Sequence, residues 1–154
     1  MLNGKERQAK LPEFLVEAEN LQTRMQECCQ HLALIRNDRD AIDCLLAALH
    51  KLSGRADVLG VHCMADFARH IHDVLSHAPD RLNLHDDALQ ALQGCLTLLA
   101  WQLELIDPHT GQLGLDDSEQ AELIATLAER IEVSTALLAE AKGLTLITFP
   151  GHSA

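Results

Sequence analysis

Aromatic residues are scarce in this 154-residue sequence, which has no tyrosine, one tryptophan and three phenylalanines. A hydrophobic core must therefore consist mainly of Leu, Ala, Ile, Val and Met, as is typical of helical bundles. Because there are only four prolines and eight glycines, long stretches contain no residue that interrupts a helix. Strand-like alternation is absent except over Leu144–Phe149, which is too short to build a sheet. These absences favour an all-α fold.

Clusters of basic residues and long apolar runs are also missing. The formal net charge is −11, and Lys and Arg occur at most as scattered pairs. Binding to a phosphate backbone requires a concentrated basic face, so we expect no nucleic-acid partner. No apolar run approaches the roughly 20 residues that cross a bilayer, and residues 1–14 lack the apolar centre of a secretory signal. We therefore expect a cytoplasmic protein that does not bind membranes.

The five cysteines are predicted to be free thiols rather than disulfides or metal ligands. Their number is odd, no pair has the C-x-x-C spacing, and Cys28 lies within an apolar stripe. The sequence predicts neither a metal site nor a cofactor. The pair His70 and His72 does not change this, because residues two apart on a helix point in different directions.

Apolar residues recur at intervals of three and four, which predicts five amphipathic helices. Helices of this length joined by short loops specify an antiparallel up-and-down bundle, with a four-helix core and a fifth helix. We expect the bundle to span residues 11–142, after an N-terminal extension of residues 1–10 and before a C-terminal tail of residues 143–154. The five stripes are Leu11, Phe14, Ala18, Leu21, Met25, Cys28, Leu32 and Ile35; Ile42, Leu45, Leu46, Leu49 and Leu52; Val61, Met64, Ala68, Ile71 and Leu75; Leu89, Leu92, Leu96, Leu99, Leu103 and Ile106; and Ile124, Leu127, Ile131, Leu138 and Ala141.

Several residues predict where these helices begin and end. Asp38 is suited to cap the start of the second helix. Gly54 and Gly60 bracket a short stretch that we interpret as the end of that helix followed by a tight turn. Gly143 is a natural C-cap for the fifth helix. Trp101, near the end of the fourth stripe, is predicted to belong to the core.

Among the nine histidines, His50 and His72 occupy the edges of apolar stripes. At about 100° per residue, His50 lies roughly 80° from the apolar centre of the second helix, and His72 lies roughly 90° from that of the third, on the flank of Arg69. An imidazole at such an edge is packed on one side and open to water on the other. Its neutral nitrogen can act as a nucleophile towards phosphorus. The alternative is an ordinary surface histidine of an amphipathic helix.

The neighbours of His50 favour the nucleophile. The stretch LLAALHKLSGRADVLGV, residues 45–61, resembles the signature of histidine phosphotransfer (HPt) domains, and most closely that of chemotaxis histidine kinases of the CheA type. In that pattern an apolar residue follows the acceptor histidine by two positions, and glycines follow it by four and ten. Leu52, Gly54 and Gly60 fall in register. The resemblance implies that His50 accepts a phosphoryl group and that Gly54 leaves room for a partner to approach.

The sequence departs from the family pattern at three positions. Ser53 stands where the family usually has the lysine that neutralises the phosphoryl group, and Lys51 is adjacent to His50 but does not share its face. On the facing helix, Arg69 and His72 stand where the chemotaxis type has a histidine and a glutamate. We expect Arg69 to supply the positive charge and a neutral His72 to accept a hydrogen bond from His50.

The resemblance implies a phosphorelay carrier and not an enzyme. No Gly-rich ATP-binding motif accompanies the bundle, so the donor would be a sensor histidine kinase or the phosphorylated receiver domain of a response regulator, and the acceptor another receiver. Two alternatives stay open: a degenerate module that docks its partners without efficient transfer, and a generic helical bundle. An accessible His50 beside Arg69 or His72 would favour the relay, whereas a His50 buried among leucines would indicate the generic bundle.

Overall fold

In the computed structural model, which describes residues 4–77, 85–110, 112–113 and 118–141, the chain is an all-α bundle, as predicted. The described ranges contain five α-helices: α1 (Gly4–Leu34), α2 (Arg39–Val58), α3 (His62–Ser76), α4 (Asp86–Leu105) and α5 (Ser118–Ala141). α1 begins within the predicted N-terminal extension. Gly143 and the tail lie outside the described residues. None of the helices described is both long and apolar enough to cross a membrane.

Helices α2 and α3, α1 and α4, and α4 and α5 run antiparallel, because in each of these pairs the contacts join later residues of one helix to earlier residues of the other. Among the described residues, α2 contacts α1 and α3, α4 contacts α1 and α3, and α5 contacts α3 and α4 but not α2. Two hydrogen bonds or ion pairs establish the direction of each of these helix pairs. They are Ser53–Ala65 and Asp57–His62 for α2 and α3, Gln22–Leu96 and Arg36–Asp86 for α1 and α4, and Gln102–Gln120 and Asp87–Arg130 for α4 and α5.

Most of the described core consists of the predicted stripes, which supply 23 of its 34 buried hydrophobic residues. Phe67 of α3 is fully buried but was not part of a predicted stripe. Every stripe residue of α3 is buried, and Leu46, Leu103 and Ile124 are half-buried at the margins of their helices. All five cysteines are free thiols, as predicted. The side chains of Leu138 and Ala141 lie outside the described residues.

Two expectations about the core are wrong. Ile35 is 55% exposed, because it follows the last residue of α1, where the chain turns and the helical stripe no longer continues. Trp101 is 56% exposed. Its neighbour Gln102 is buried instead and donates to Gln120 of α5. Since successive helical residues are about 100° apart, Trp101 lies outside the face that α1 and α5 cover.

Both the start and the end of α2 are as predicted. The Oδ1 atom of Asp38 accepts a hydrogen bond from the backbone N–H of Ala41 at 3.2 Å and caps the helix. α2 continues through Gly54 to Val58 and a turn follows at Leu59 and Gly60, so the stretch between the two glycines is the end of the helix followed by a tight turn, as predicted. The turn that follows uses Gly60 at φ 80°, a conformation that glycine adopts without steric cost. Gly54 is therefore an interior residue of the helix that carries His50.

Candidate functional site

His50 lies near the middle of α2 and is exposed, on the flank that the helical periodicity predicts. Its imidazole lies against that of His72 on α3, with ring centroids 5.9 Å apart and ring planes inclined by 45°. Within the described part of the chain, the ring of His50 has no hydrogen-bond partner. The structure thus places His50 beside His72 and not among leucines, with its ring supported on one side and open on the other.

His72 is half-buried at the α2–α3 boundary, with 28% of its side chain exposed. The two histidine rings are in contact, but the hydrogen bond that we predicted between them is not formed. Instead the Nδ1 atom of His72 lies 3.4 Å from Oδ1 of Asp73. A carboxylate near Nδ1 favours the tautomer in which that nitrogen carries the proton and Nε2 keeps its lone pair. Sequence reasoning did not assign Asp73 any part in the site.

Arg69, the predicted source of positive charge, is exposed on α3 one turn before His72. Its guanidinium group forms an ion pair with the carboxylate of Asp66, three residues earlier on the same helix. The charge is therefore partly balanced within α3. Exposed pairs of this kind contribute only about 0–1 kcal/mol, so the guanidinium can exchange Asp66 for a phosphoryl group at little cost.

On the opposite flank of α2, two further cations converge on one carboxylate of α1. The Nζ atom of Lys51 lies 3.5 Å from Glu17, and Nη1 of Arg55 lies 3.6 Å from the same side chain. Glu17 is itself only 28% exposed. No local pattern in the sequence indicates a role for Glu17, because its contact with α2 joins residues more than 30 positions apart and depends on how α1 and α2 pack.

Ser53 lies one turn after His50 but is buried where α2 packs on α3. Its side chain is 7% exposed, and its Oγ atom donates a hydrogen bond to the backbone carbonyl of Ala65 on α3 at 3.1 Å. The hydroxyl therefore cannot contact a phosphoryl group on His50. Its structural effect is to hold α2 close to α3.

Gly54 is exposed one turn after His50, and a Cβ atom placed there would have no atom within 4 Å. Packing within this chain therefore does not require glycine at this position. A glycine inside a helix lowers stability by roughly 0.5–1 kcal/mol relative to alanine. One turn later, Val58 is 54% exposed. It lies at the edge of a groove of about 300 Å³ between α1 and the end of α2, and Phe14 and Arg55 also line this groove.

The thiols are the other nucleophilic groups of the bundle, and burial makes three of them unreactive. Burial raises the pKa of Cys29 and of Cys95 to about 12. The pKa of Cys28 is also raised to about 12, mainly by burial and to a smaller extent by a hydrogen bond with Cys44. These thiols stay protonated near neutral pH, and the thiolate is the nucleophilic form. The imidazole of His50, by contrast, is exposed at the α2–α3 boundary.

Comparisons of the chain with protein-family models, with curated proteins and with solved structures found no match.

Proposed function

We propose that this chain is a phosphorelay carrier that accepts a phosphoryl group on His50. In the forward step a nitrogen of His50 attacks the phosphorus of a phosphorylated receiver aspartate or of a kinase phosphohistidine. The new P–N bond forms as the bond to the donor breaks, and the second imidazole nitrogen releases its proton. The reverse reaction delivers the group to another receiver. The single observation that carries the proposal is the exposed imidazole of His50, supported by His72 across the helix boundary.

The surface beside His50 supports docking of a partner. Ala47, Gly54 and Val58 are all exposed at helical spacings from His50, three residues before it and four and eight after it. They provide a small or apolar strip along which a receiver domain can bring its aspartate to the imidazole. A transient contact of this kind buries roughly 800 Å² per partner or less.

Three cations on the two helices that meet at His50 support a role in phosphoryl binding. Lys51 and Arg55 pair with Glu17, and Arg69 pairs with Asp66. All three pairs are exposed enough for solvent to screen them. A phosphoryl dianion on His50 therefore attracts Arg69 without the cost of breaking a buried ion pair, and Arg69 offers the bidentate geometry that phosphate prefers. Lys51 and Arg55, on the opposite flank of α2, contribute to the positive potential of the helix only at longer range.

The test is transfer from a panel of phosphorylated receiver domains to the intact chain. We expect acid-labile label on the wild-type protein, none on His50→Gln, and full labelling of the control His62→Gln, which removes an exposed histidine of α3 that pairs with Asp57 at 3.2 Å. Label that persists in His50→Gln would remove His50 from the mechanism.

A second candidate function is docking without transfer, and two observations favour it. Ser53 is buried where the family has its lysine, and Arg69 already has a carboxylate partner. Both observations leave less positive charge available near His50, so a phosphoryl group on His50 would be only weakly stabilised. Calorimetry with the same receiver panel separates the candidates: a docking module binds receivers equally well with and without His50→Gln, and its wild-type form shows no phosphohistidine.

A further inference from the structure

We infer that His50 and His72 together bind a divalent transition-metal ion such as Zn²⁺ or Ni²⁺, and that the bound ion makes His50 unreactive. Metal binding stands on the geometry of the two imidazoles alone. Its consequence for phosphoryl transfer rests on the proposed function. The two claims are therefore tested separately below.

The spacing of the two rings suits a shared ion. Zinc–nitrogen bonds of about 2.0 Å at a tetrahedral angle place two imidazole centroids about 5 Å apart. The centroids of His50 and His72 are 5.9 Å apart and the ring planes are tilted by 45°. Because His50 is exposed, its side chain can rotate towards His72 and shorten this distance.

The surroundings of His72 resemble those of a histidine ligand. Metal-bound histidines commonly donate their other ring N–H to a carboxylate, which fixes the tautomer and raises the basicity of the ligating nitrogen. The carboxylate of Asp73, 3.4 Å from Nδ1 of His72, is suitably placed for this role and leaves Nε2 for the ion. The hydrogen bond from Ser53 to Ala65 holds the two helices in register at the site.

The site has two protein ligands, and water would complete the coordination sphere. In the described ranges no three His, Cys, Asp or Glu side chains are grouped so as to share a metal ion. A site with open positions exchanges its ion readily, unlike the closed four-ligand sites that hold structural zinc. The family resemblance predicted that His72 contacts His50, but not that the two side chains act together as metal ligands.

Coordination removes the nucleophile. A neutral imidazole has one nitrogen with a lone pair and one that carries a proton. When the ion takes the lone pair of His50, the remaining nitrogen is an N–H group that cannot attack phosphorus. The metal ion and the phosphoryl group therefore exclude one another.

The binding claim is tested by titrating the tag-free chain with ZnCl₂ while recording the histidine C2–H resonances. We expect the signals of His50 and His72 to respond together, with zinc affinity falling about tenfold or more in His72→Gln and by up to about tenfold in Asp73→Asn. The control His70→Gln, which removes the neighbouring histidine of α3, should bind zinc as the wild type does. Unchanged zinc affinity in His72→Gln, or an effect confined to other histidines, would overturn the inference.

The blocking claim is tested with potassium phosphoramidate, which phosphorylates imidazole directly: its P–N bond breaks, ammonia leaves and a new P–N bond forms. Zinc should slow the labelling of His50 about tenfold or more. The rate of labelling of the exposed His109 should stay the same. Addition of EDTA should restore the labelling of His50. Labelling of His50 at the same rate with saturating zinc would overturn the block. Failure of the proposed function shows differently, as absent transfer from receivers in a protein that still binds zinc.

Discussion

The hydroxyl of Ser53 donates a hydrogen bond to the backbone carbonyl of Ala65 at 3.1 Å, and so fixes α2 against α3 three residues after His50. The contact is buried, and both residues are small, which lets the two helices approach closely. Because His72 lies one helix away from His50, the separation of their rings depends on this approach. A residue that the family resemblance would place in phosphate binding thus has a packing role here.

Substitutions at Ser53 should act on stability first. Ser53→Ala removes one buried hydrogen bond and should lower the free energy of unfolding by about 1 kcal/mol. Ser53→Lys, which restores the family residue, should cost more than about 2 kcal/mol, because the ammonium group has no room at this buried position. Both values are measured by urea denaturation.

Thr97→Ala is the matched control for the Ser53 variants. The exposed hydroxyl of Thr97 donates to a carbonyl of its own helix, that of Gln93, at 2.9 Å. Its loss should change the free energy of unfolding by less than about 0.5 kcal/mol. If Ser53→Lys were as stable as the wild type, the side chain at this position would have to point to solvent, contrary to the structure.

Gly54 and Gly94 offer a paired test of the docking surface. Both are interior helix residues, and at Gly94 an added Cβ would be 3.5 Å from Cδ2 of Leu123, an ordinary van der Waals contact. Substitution by alanine should raise the free energy of unfolding by up to about 1 kcal/mol at either site. Only Gly54→Ala should also weaken receiver binding, and the bulkier Gly54→Gln should weaken it further. Equal binding by all three variants, measured by calorimetry, would show that partners do not approach over Gly54.

Glu17→Gln should make His50 react faster with an anionic phosphoryl donor. The substitution releases Lys51 and Arg55 from their shared carboxylate and raises the positive potential beside His50. We expect phosphoramidate labelling of His50 to accelerate several-fold at low salt and less at high salt. Stability should change by no more than about 1 kcal/mol.

Glu13→Gln controls for the general change in charge, since it removes the same charge from α1 one turn earlier. If Glu13→Gln accelerated labelling as much as Glu17→Gln, the ion pairs of Glu17 would have no specific effect on His50.

The buried thiols predict how stability depends on alkaline pH. Burial holds the pKa of Cys29 and Cys95 at about 12, above the ordinary thiol value of 9.0. The two protonated thiols therefore contribute fully to the free energy of unfolding below pH 9. This contribution is lost between about pH 9 and 12, because the unfolded chain releases protons that the folded chain keeps. Urea denaturation should show a falling free energy of unfolding over this range. In Cys95→Ala the fall should be shallower; an identical pH dependence would contradict burial of that thiol.

The extent of the helices and most of the core could be predicted, because both depend on short-range periodicity. The stripe of Val61, Met64, Ala68, Ile71 and Leu75 is buried in full. The exposed position of His50 follows from the same rotation about the helix axis. The two glycines indicated where α2 ends, and the structure shows that the helix runs through Gly54 to Val58 before the turn at Gly60.

Contacts between helices could not be predicted in the same way. Trp101 was assigned to the core from its hydrophobicity, but its exposure depends on where α1 and α5 lie around α4. The convergence of Lys51 and Arg55 on Glu17 likewise has no local signal. For His72 the family register named the right residue, whereas the nearby carboxylate of Asp73 was visible only in the structure.

By itself, the sequence determined that this chain folds into helices, which face of each helix is buried, and that His50 stands at the edge of one such face. The spacing of apolar residues along a single helix is enough for these features. The tertiary structure decided which side chains meet across the helix boundaries: His72 with His50, Ser53 with Ala65, and Glu17 with two cations of α2. These contacts depend on the distance and register between helices, which arise from the packing of whole helix surfaces and not from any local sequence pattern.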